Sequence, residues 1–220
     1  MTPTNMTNDP FVQSGLQQLS NEAFGPNGFA NGMEEVFHVL IHRGSDTLGY
    51  GHMISGDEVI FTGRTDSDSF SDAALNVWLD ECRIRAYSMG AGTWTTAEVH
   101  VYPDKPGILD LYDEERVERD AQGNWPPGGG PAGAQAWSQQ LLAYPRTADN
   151  IPSWMWDIFQ AEGVTPPIYN PKFKSVDWKN RRRPVTDHGT DFSVEPTVID
   201  PSLELSVFSR IRKKLFGAHS

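Results

Sequence analysis

Three histidines fall where a sheet would bring them near one another. His38 and His42 are four residues apart in an alternating stretch and share one strand face, while His52 lies on the next expected strand. Together they could approach a metal ion. Metal sites also need well-placed outer partners, and no ligand at fixed spacing accompanies these three, so core-edge histidines with hydrogen-bonded neighbours are the better reading. Glu98 and His100 share a face and have the chemistry of an acid–base pair. With no nucleophile or cofactor signature beside them, an ordinary polar sheet face accounts for them. The run Asp110 to Asp120 is rich in carboxylates but lacks the spacing and glycine of a calcium loop, and reads as a solvated acidic loop. Lys172 to Arg183 is basic with Phe173 and Trp178 interleaved, which resembles a single-strand nucleic-acid patch. The chain has no phosphate-binding glycine loop, no G-x-S-x-G elbow and no H-E-x-x-H. The expectation is a protein with no catalytic residues, no metal and no cofactor.

The elements that must position these groups centre on Ser69 to Asp113. Ser69 can cap a helix in which Leu75, Trp78, Leu79, Cys82, Ala86 and Met89 recur at three- and four-residue spacing. Gly90 and Gly92 supply the stop. From Thr93 the period becomes two. Ala97, Val99 and Val101 point one way, and Trp94, Thr96, Glu98, His100 and Tyr102 the other. Pro103 to Gly107 is turn chemistry, and Ile108 to Asp113 returns, with Asp110 and Tyr112 on the outer face. Upstream, Glu35 to Arg43 carries apolar residues on both faces and reads as a central strand. Thr47 to Ile54 and Glu58 to Thr62 are the next two strands. Helices are expected at 134–144, anchored by Trp137, Leu141 and Leu142, and from Ile151, with Trp154, Met155, Ile158 and Phe159 on its apolar face. The order β-β-β-α-β-β followed by helices predicts an α+β fold, a mainly antiparallel sheet with helices packed on one face.

Three regions follow: a polar segment 1–33 with a short helix over Phe11 to Leu19, an α+β domain 34–163, and a Pro-rich basic extension 164–220. The extension shows little periodicity until an amphipathic helix at 202–216, lined by Leu203, Val207, Phe208, Ile211 and Leu215. Residues 123–133 are a Gly/Pro-rich insert. The formal net charge is -11. It divides unevenly: residues 1–168 hold 23 acidic and 8 basic side chains, residues 169–220 hold 6 and 10. An acidic body argues against nucleic acid and anionic membrane as partners and favours basic ones. One cysteine excludes an internal disulfide and fits a reducing compartment. No apolar run reaches spanning length, and Met1 to Pro10 lacks a signal-peptide pattern, so the expected location is cytoplasmic.

Two stretches carry a resemblance. Gly92-Thr93-Trp94 leads through the hairpin to Asp110-Leu111-Tyr112-Asp113, and Tyr144-Pro145-Arg146-Thr147 precedes Ile151-Pro152-Ser153-Trp154-Met155. Together, over about residues 34–160, they resemble the YezG-like antitoxins, immunity proteins of bacterial polymorphic-toxin systems. The resemblance implies a small cytoplasmic α+β protein that neutralises a cognate toxin, often a nuclease, by binding it. The residues themselves agree on one point. A face bearing Trp94, His100, Tyr102, Asp110 and Tyr112, continued by Asp113, Glu114 and Glu115, sets aromatic anchors beside negative charge. Such a face would be steered to a basic active-site cleft. The alternatives are a ligand- or scaffold-binding module docking through the basic C-terminal helix, and an enzyme using the Glu98/His100 region.

Overall fold

The computed structural model describes residues 4–6, 8–44, 46–62, 70, 72–126, 129–179 and 181–185. The Ser69 cap, the 63–68 loop and the 202–216 helix expected from sequence lie outside the described residues.

Strand β1 (Thr4–Asn5) and helix α1 (Pro10–Phe24) open the chain. Asp9 caps α1 by accepting the Phe11 N–H at 2.8 Å, and Pro10 fills its first turn, where a missing N–H costs nothing. Next come β2 (Glu35–Arg43), β3 (Asp46–Ser55), β4 (Glu58–Thr62), α2 (Asp72–Ala86), β5 (Thr96–Val101) and β6 (Ile108–Tyr112). The sheet is antiparallel, in the order β1-β6-β5-β2-β3-β4. After it come α3 (Ala134–Ala143), a short 3-10 turn (Ala148–Asn150) and α4 (Ser153–Ala161). The expected α+β fold is therefore present, with β2 in the interior of the sheet. α2 ends at Ala86, so Met89 lies beyond it.

The main core is one sheet face against α1 and α2. Val36, Leu40, Ala97, Val99, Val101, Leu109 and Leu111 meet Val12, Leu16 and Leu19 of α1 and Leu75, Leu79 and Cys82 of α2. Period-two strands and period-3.6 helices each present one apolar stripe, and burying them against each other is the main favourable term. The segment 1–33 contributes Val12, Leu16 and Leu19 to this core. Its helix is six residues longer than Phe11 to Leu19 predicts, and β1 extends the sheet beyond β6.

On the opposite sheet face Val39, Ile41, Leu48 and Tyr50 form a second cluster, covered by Val117 and Trp125. The chain from Asp113 to Pro126 crosses this face as a strap. That cover explains why β2 is apolar on both sides. A third cluster unites Trp137 and Leu141 of α3 with Met155 and Phe159 of α4. Trp137 and Trp154 meet edge to face, centroids 4.9 Å apart.

Two expectations need correction. His52 pairs with Phe37 while His38 pairs with Gly51, so His52 faces away from His38 and His42. Directly opposed residues share a face, and the three histidines do not converge. The stretch after residue 164 is also more regular than its composition implies. It forms an antiparallel sheet of β7 (Ile168–Asn170), β8 (Ser175–Trp178) and β9 (Arg181–Pro184).

Candidate functional site on the strapped sheet face

The face opposite the helices carries most of the chemistry. β2 contributes Glu35, Phe37 and Val39, β3 Tyr50 and His52, β5 Thr96, Glu98 and His100, and β6 Asp110 and Tyr112. Phe37 lies opposite a histidine on each side. It stacks on His52 at 6.1 Å and is tilted against His100 at 4.7 Å. Each histidine is tied to a carboxylate, His52 to Glu118 at 2.9 Å and His100 to Glu35 at 2.6 Å.

The strap is fastened at several points. Thr96 Oγ1 donates to the Glu114 carbonyl at 2.6 Å and accepts from the Arg116 N–H at 3.2 Å. Arg116 reaches Glu98 at 2.8 Å and lies over the Tyr112 ring at 3.9 Å. The Glu118 N–H donates to Tyr50 Oη at 2.8 Å. Arg43, buried at the end of β2, meets Glu115 at 2.7 Å, donates to the Gly130 carbonyl at 2.7 Å and lies over Trp125. Glu115 is pushed above the usual carboxylate range because burial outweighs the opposing field of Arg43.

Between strap and strands an open groove of about 530 Å³ is lined by Phe37, Val39, Tyr50, Glu98, Glu115, Arg116, Val117 and Glu118. A second hollow of about 310 Å³ continues past Tyr50 and Glu118 to His52, Asp120, Asn124 and Trp125.

The residues expected to bind a partner divide sharply here. Trp94 is not on this face. It is buried in the main core, 5.1 Å from His42, because β5 begins at Thr96 and the alternation does not extend back to it. Tyr102 and Tyr112 are on the expected side but nearly buried. Burial, more than the nearby carboxylates, raises both phenols above their ordinary value, so they stay neutral. Tyr102 also has Lys105 over its ring at 3.7 Å. His100 is held by Glu35, and Glu114 faces Arg116 at 3.5 Å. Asp110 is half-buried opposite Glu98.

Asp113 belongs to a different construction. Arg146, 2% exposed, donates to both Asp113 carboxylate oxygens, at 2.5 and 2.8 Å. It also donates to the carbonyls of Asn150, at 3.0 Å, and Thr93. Gly92, at φ +80, lies directly under the guanidinium, where any Cβ would collide with Arg146 Nε. Gly90 receives the Thr147 N–H at 2.8 Å. The G-T-W and P-R-T motifs are therefore two halves of one buried lock, fixing α3 and α4 to the hairpin.

Sequence reasoning passed over Tyr50, Thr96, Arg43 and Trp125 as site-builders. A cation closing an otherwise apolar strand is the signal that could have marked Arg43. Among the described residues no group of three His, Cys, Asp or Glu side chains is placed to hold a metal ion, and no helix is long and apolar enough to cross a membrane. No protein-family model matches the chain, and no curated protein matches it.

Proposed function

We propose that this is a non-enzymatic immunity protein that acts in the cytoplasm by binding and masking a cognate toxin domain, with the strapped sheet face as the binding surface. The observation that carries the reading is the open groove in which half-buried Phe37, set over the buried Val39 and Tyr50, lies beside Glu98, Glu115 and Glu118. Aromatic anchors beside charge are where interfaces concentrate binding energy. A chain at -11 is steered toward a basic cleft such as a nuclease presents to its substrate. The resemblance carried by Gly92-Thr93-Trp94 and Pro145-Arg146-Thr147 supports the same reading. Within the expected partner-binding set, Asp110 lies opposite Glu98 of the groove, Tyr112 lies under Arg116, and Glu115 lines it.

The test is recovery of tagged protein from its native host, with mass spectrometry of what stays bound. A stoichiometric partner with a C-terminal toxin domain, whose toxicity is relieved by co-expression, is the expected outcome. Glu118→Arg combined with Asp120→Arg, both at exposed positions, then weakens capture at least about tenfold. Recovery of no toxin, or relief of toxicity by a variant that no longer binds it, refutes the proposal.

A further inference from the structure

We propose that the outer edge of β4 is a self-association surface, at which a second copy of the chain pairs antiparallel about Ile60.

The two edges of the six-stranded sheet differ. β1 is two residues long, too short to template another strand. β4 has five residues, Glu58-Val59-Ile60-Phe61-Thr62, with neither Lys nor Pro to discourage pairing. Among the described residues no strand lies beyond it. Val59 is 60% and Ile60 36% exposed, unusual for adjacent β-branched residues in a strand.

Hairpin parity fixes which backbone groups point outward. Gly56 and Asp57 are the two-residue connection between β3 and β4, with Gly56 at φ +56 in the first position. Ser55 and Glu58 flank the loop and form the first hydrogen-bonded pair, and such pairs alternate along an antiparallel ladder. Glu58, Ile60 and Thr62 therefore turn their N–H and C=O groups toward β3. Val59 and Phe61 turn theirs to the open side.

A second β4 with Ile60 opposite Ile60 sets Val59 against Phe61 on both sides of the axis. Each of those pairs then exchanges both of its N–H···O=C bonds, and every outward group is satisfied. Glu58 falls opposite Thr62, so no like charges face each other. A one-residue slip in either direction brings inward-turned groups against outward-turned ones, and a two-residue slip leaves a single hydrogen-bonded pair within the strand in place of two, so this register makes the most bonds. The shared negative charge of the two copies opposes the pairing at long range and is screened by salt, so association strengthens with ionic strength. This surface lies apart from the strap and does not depend on the proposed function.

The test uses the full chain. Sedimentation equilibrium from about 1 to about 500 µM is expected to give a reversible monomer–dimer curve, displaced toward dimer at high salt. Val59→Lys, at an exposed position, leaves the thermal midpoint unchanged and weakens dimerisation at least about tenfold. Register is read by cross-linking. Ile60→Cys places two thiols in a non-hydrogen-bonded pair, at about 4.5 Å between Cα atoms and within disulfide reach. Val59→Cys places them a diagonal step apart. The native Cys82 is fully buried and does not compete. Ile60→Cys should form a covalent dimer at least about tenfold faster than Val59→Cys. A wild type that is monomeric throughout, equal cross-linking rates for the two variants, or an undiminished Val59→Lys dimer each overturns the proposal. So does a monomer whose β4 amides gain exchange protection only when a captured toxin is added, which would give the edge to a partner's strand.

Discussion

Replacing Arg146 with methionine keeps most of the side-chain volume and removes the cation. The consequence follows from what Arg146 holds. Its guanidinium is 2% exposed and satisfies both Asp113 oxygens and the carbonyls of Thr93 and Asn150. Taking one partner from a buried ion pair costs about 3–5 kcal/mol. Asp113 is one-third exposed and rehydrates in part, which moderates the loss, while each carbonyl left without a donor adds to it by about 1 kcal/mol or more. The expected cost is about 4 kcal/mol, a large share of the roughly 5–15 kcal/mol that holds a domain folded. Arg146→Lys keeps the charge but cannot span four acceptors, and should cost about 2 kcal/mol. Asp113→Asn leaves the guanidinium buried with a neutral partner and falls at a similar level. Because each change relieves part of the desolvation that the other exposes, the double variant Arg146→Met/Asp113→Asn should be sub-additive by at least about 1 kcal/mol. Urea unfolding followed by tryptophan fluorescence, with slopes compared as well as midpoints, measures all four. A loss under about 1 kcal/mol for Arg146→Met, or strict additivity in the double variant, would refute the view of this arginine as the joint between hairpin and helices.

Gly92→Ala should be markedly worse than Gly90→Ala in the same assay. Both glycines sit at positive φ, +80 and +84, which costs an alanine about 1–2 kcal/mol, but only at Gly92 does the new Cβ strike Arg146. Equal losses would count against that contact. His42 gives a pH dependence. Burial first, and the Arg83 charge second, hold its pKa well below the ordinary 6.5, so the unfolded chain takes up a proton that the folded one refuses. Its contribution is fully present above about pH 6.5 and is lost as pH falls from there toward the folded value, at up to about 1.4 kcal/mol per pH unit, and His42→Gln should flatten that limb of a pH–stability curve. Cys82 is fully buried with its thiol pushed up to about 12, mainly by desolvation, so a thiol reagent at pH 8 should label it only through opening of the core. Labelling of native protein as fast as a free thiol would show that α2 is not seated as described.

Period carried much of the fold. The alternation in Glu35 to Arg43 placed β2 correctly because a strand apolar on both faces needs cover on both, and α1 with α2 on one side and the strap on the other provide it. The same device failed where elements are short. β7, β8 and β9 are three or four residues each, too few for a period to emerge from a basic, proline-punctuated stretch. β8 turns back through Lys179 at φ +48, which is not a residue that announces a turn. The β5 alternation does not extend to Trp94, two residues before the strand begins, and its ring turns into the main core. At the N-terminus the apolar spacing of Val12, Leu16 and Leu19 marks the helix, but not its continuation to Ala23 and Phe24. Arg146 was visible as part of a motif, but what it does depends on Asp113, thirty-three residues away, and on the bare backbone of Gly92.

The strapped face shows why a cluster of acids and aromatics is an ambiguous sign. In sequence, Tyr102, Asp110, Tyr112, Asp113, Glu114 and Glu115 have the composition of an interface. In the fold, Asp113 and Glu115 neutralise buried arginines, the two tyrosines are nearly covered, and Glu114 braces Arg116. Removing a buried arginine's counter-ion damages the fold before it touches a partner, so loss of binding by Asp113→Ala or Glu115→Ala would not locate the interface. Groups that can move without that penalty locate it better. Glu118 is exposed and, among the described residues, its ion pair is with a histidine, and Asp120 is fully exposed, its pKa lowered by hydrogen bonds from Asn124. Tyr50 ends in one hydrogen bond to the strap, so Tyr50→Phe removes that fastening with little loss of packing and should raise exchange at the Glu118 amide before the core responds. If partner capture falls together with that local loosening while the unfolding midpoint holds, the strap must be set for binding. If capture is indifferent to it, the contact lies on the strands themselves.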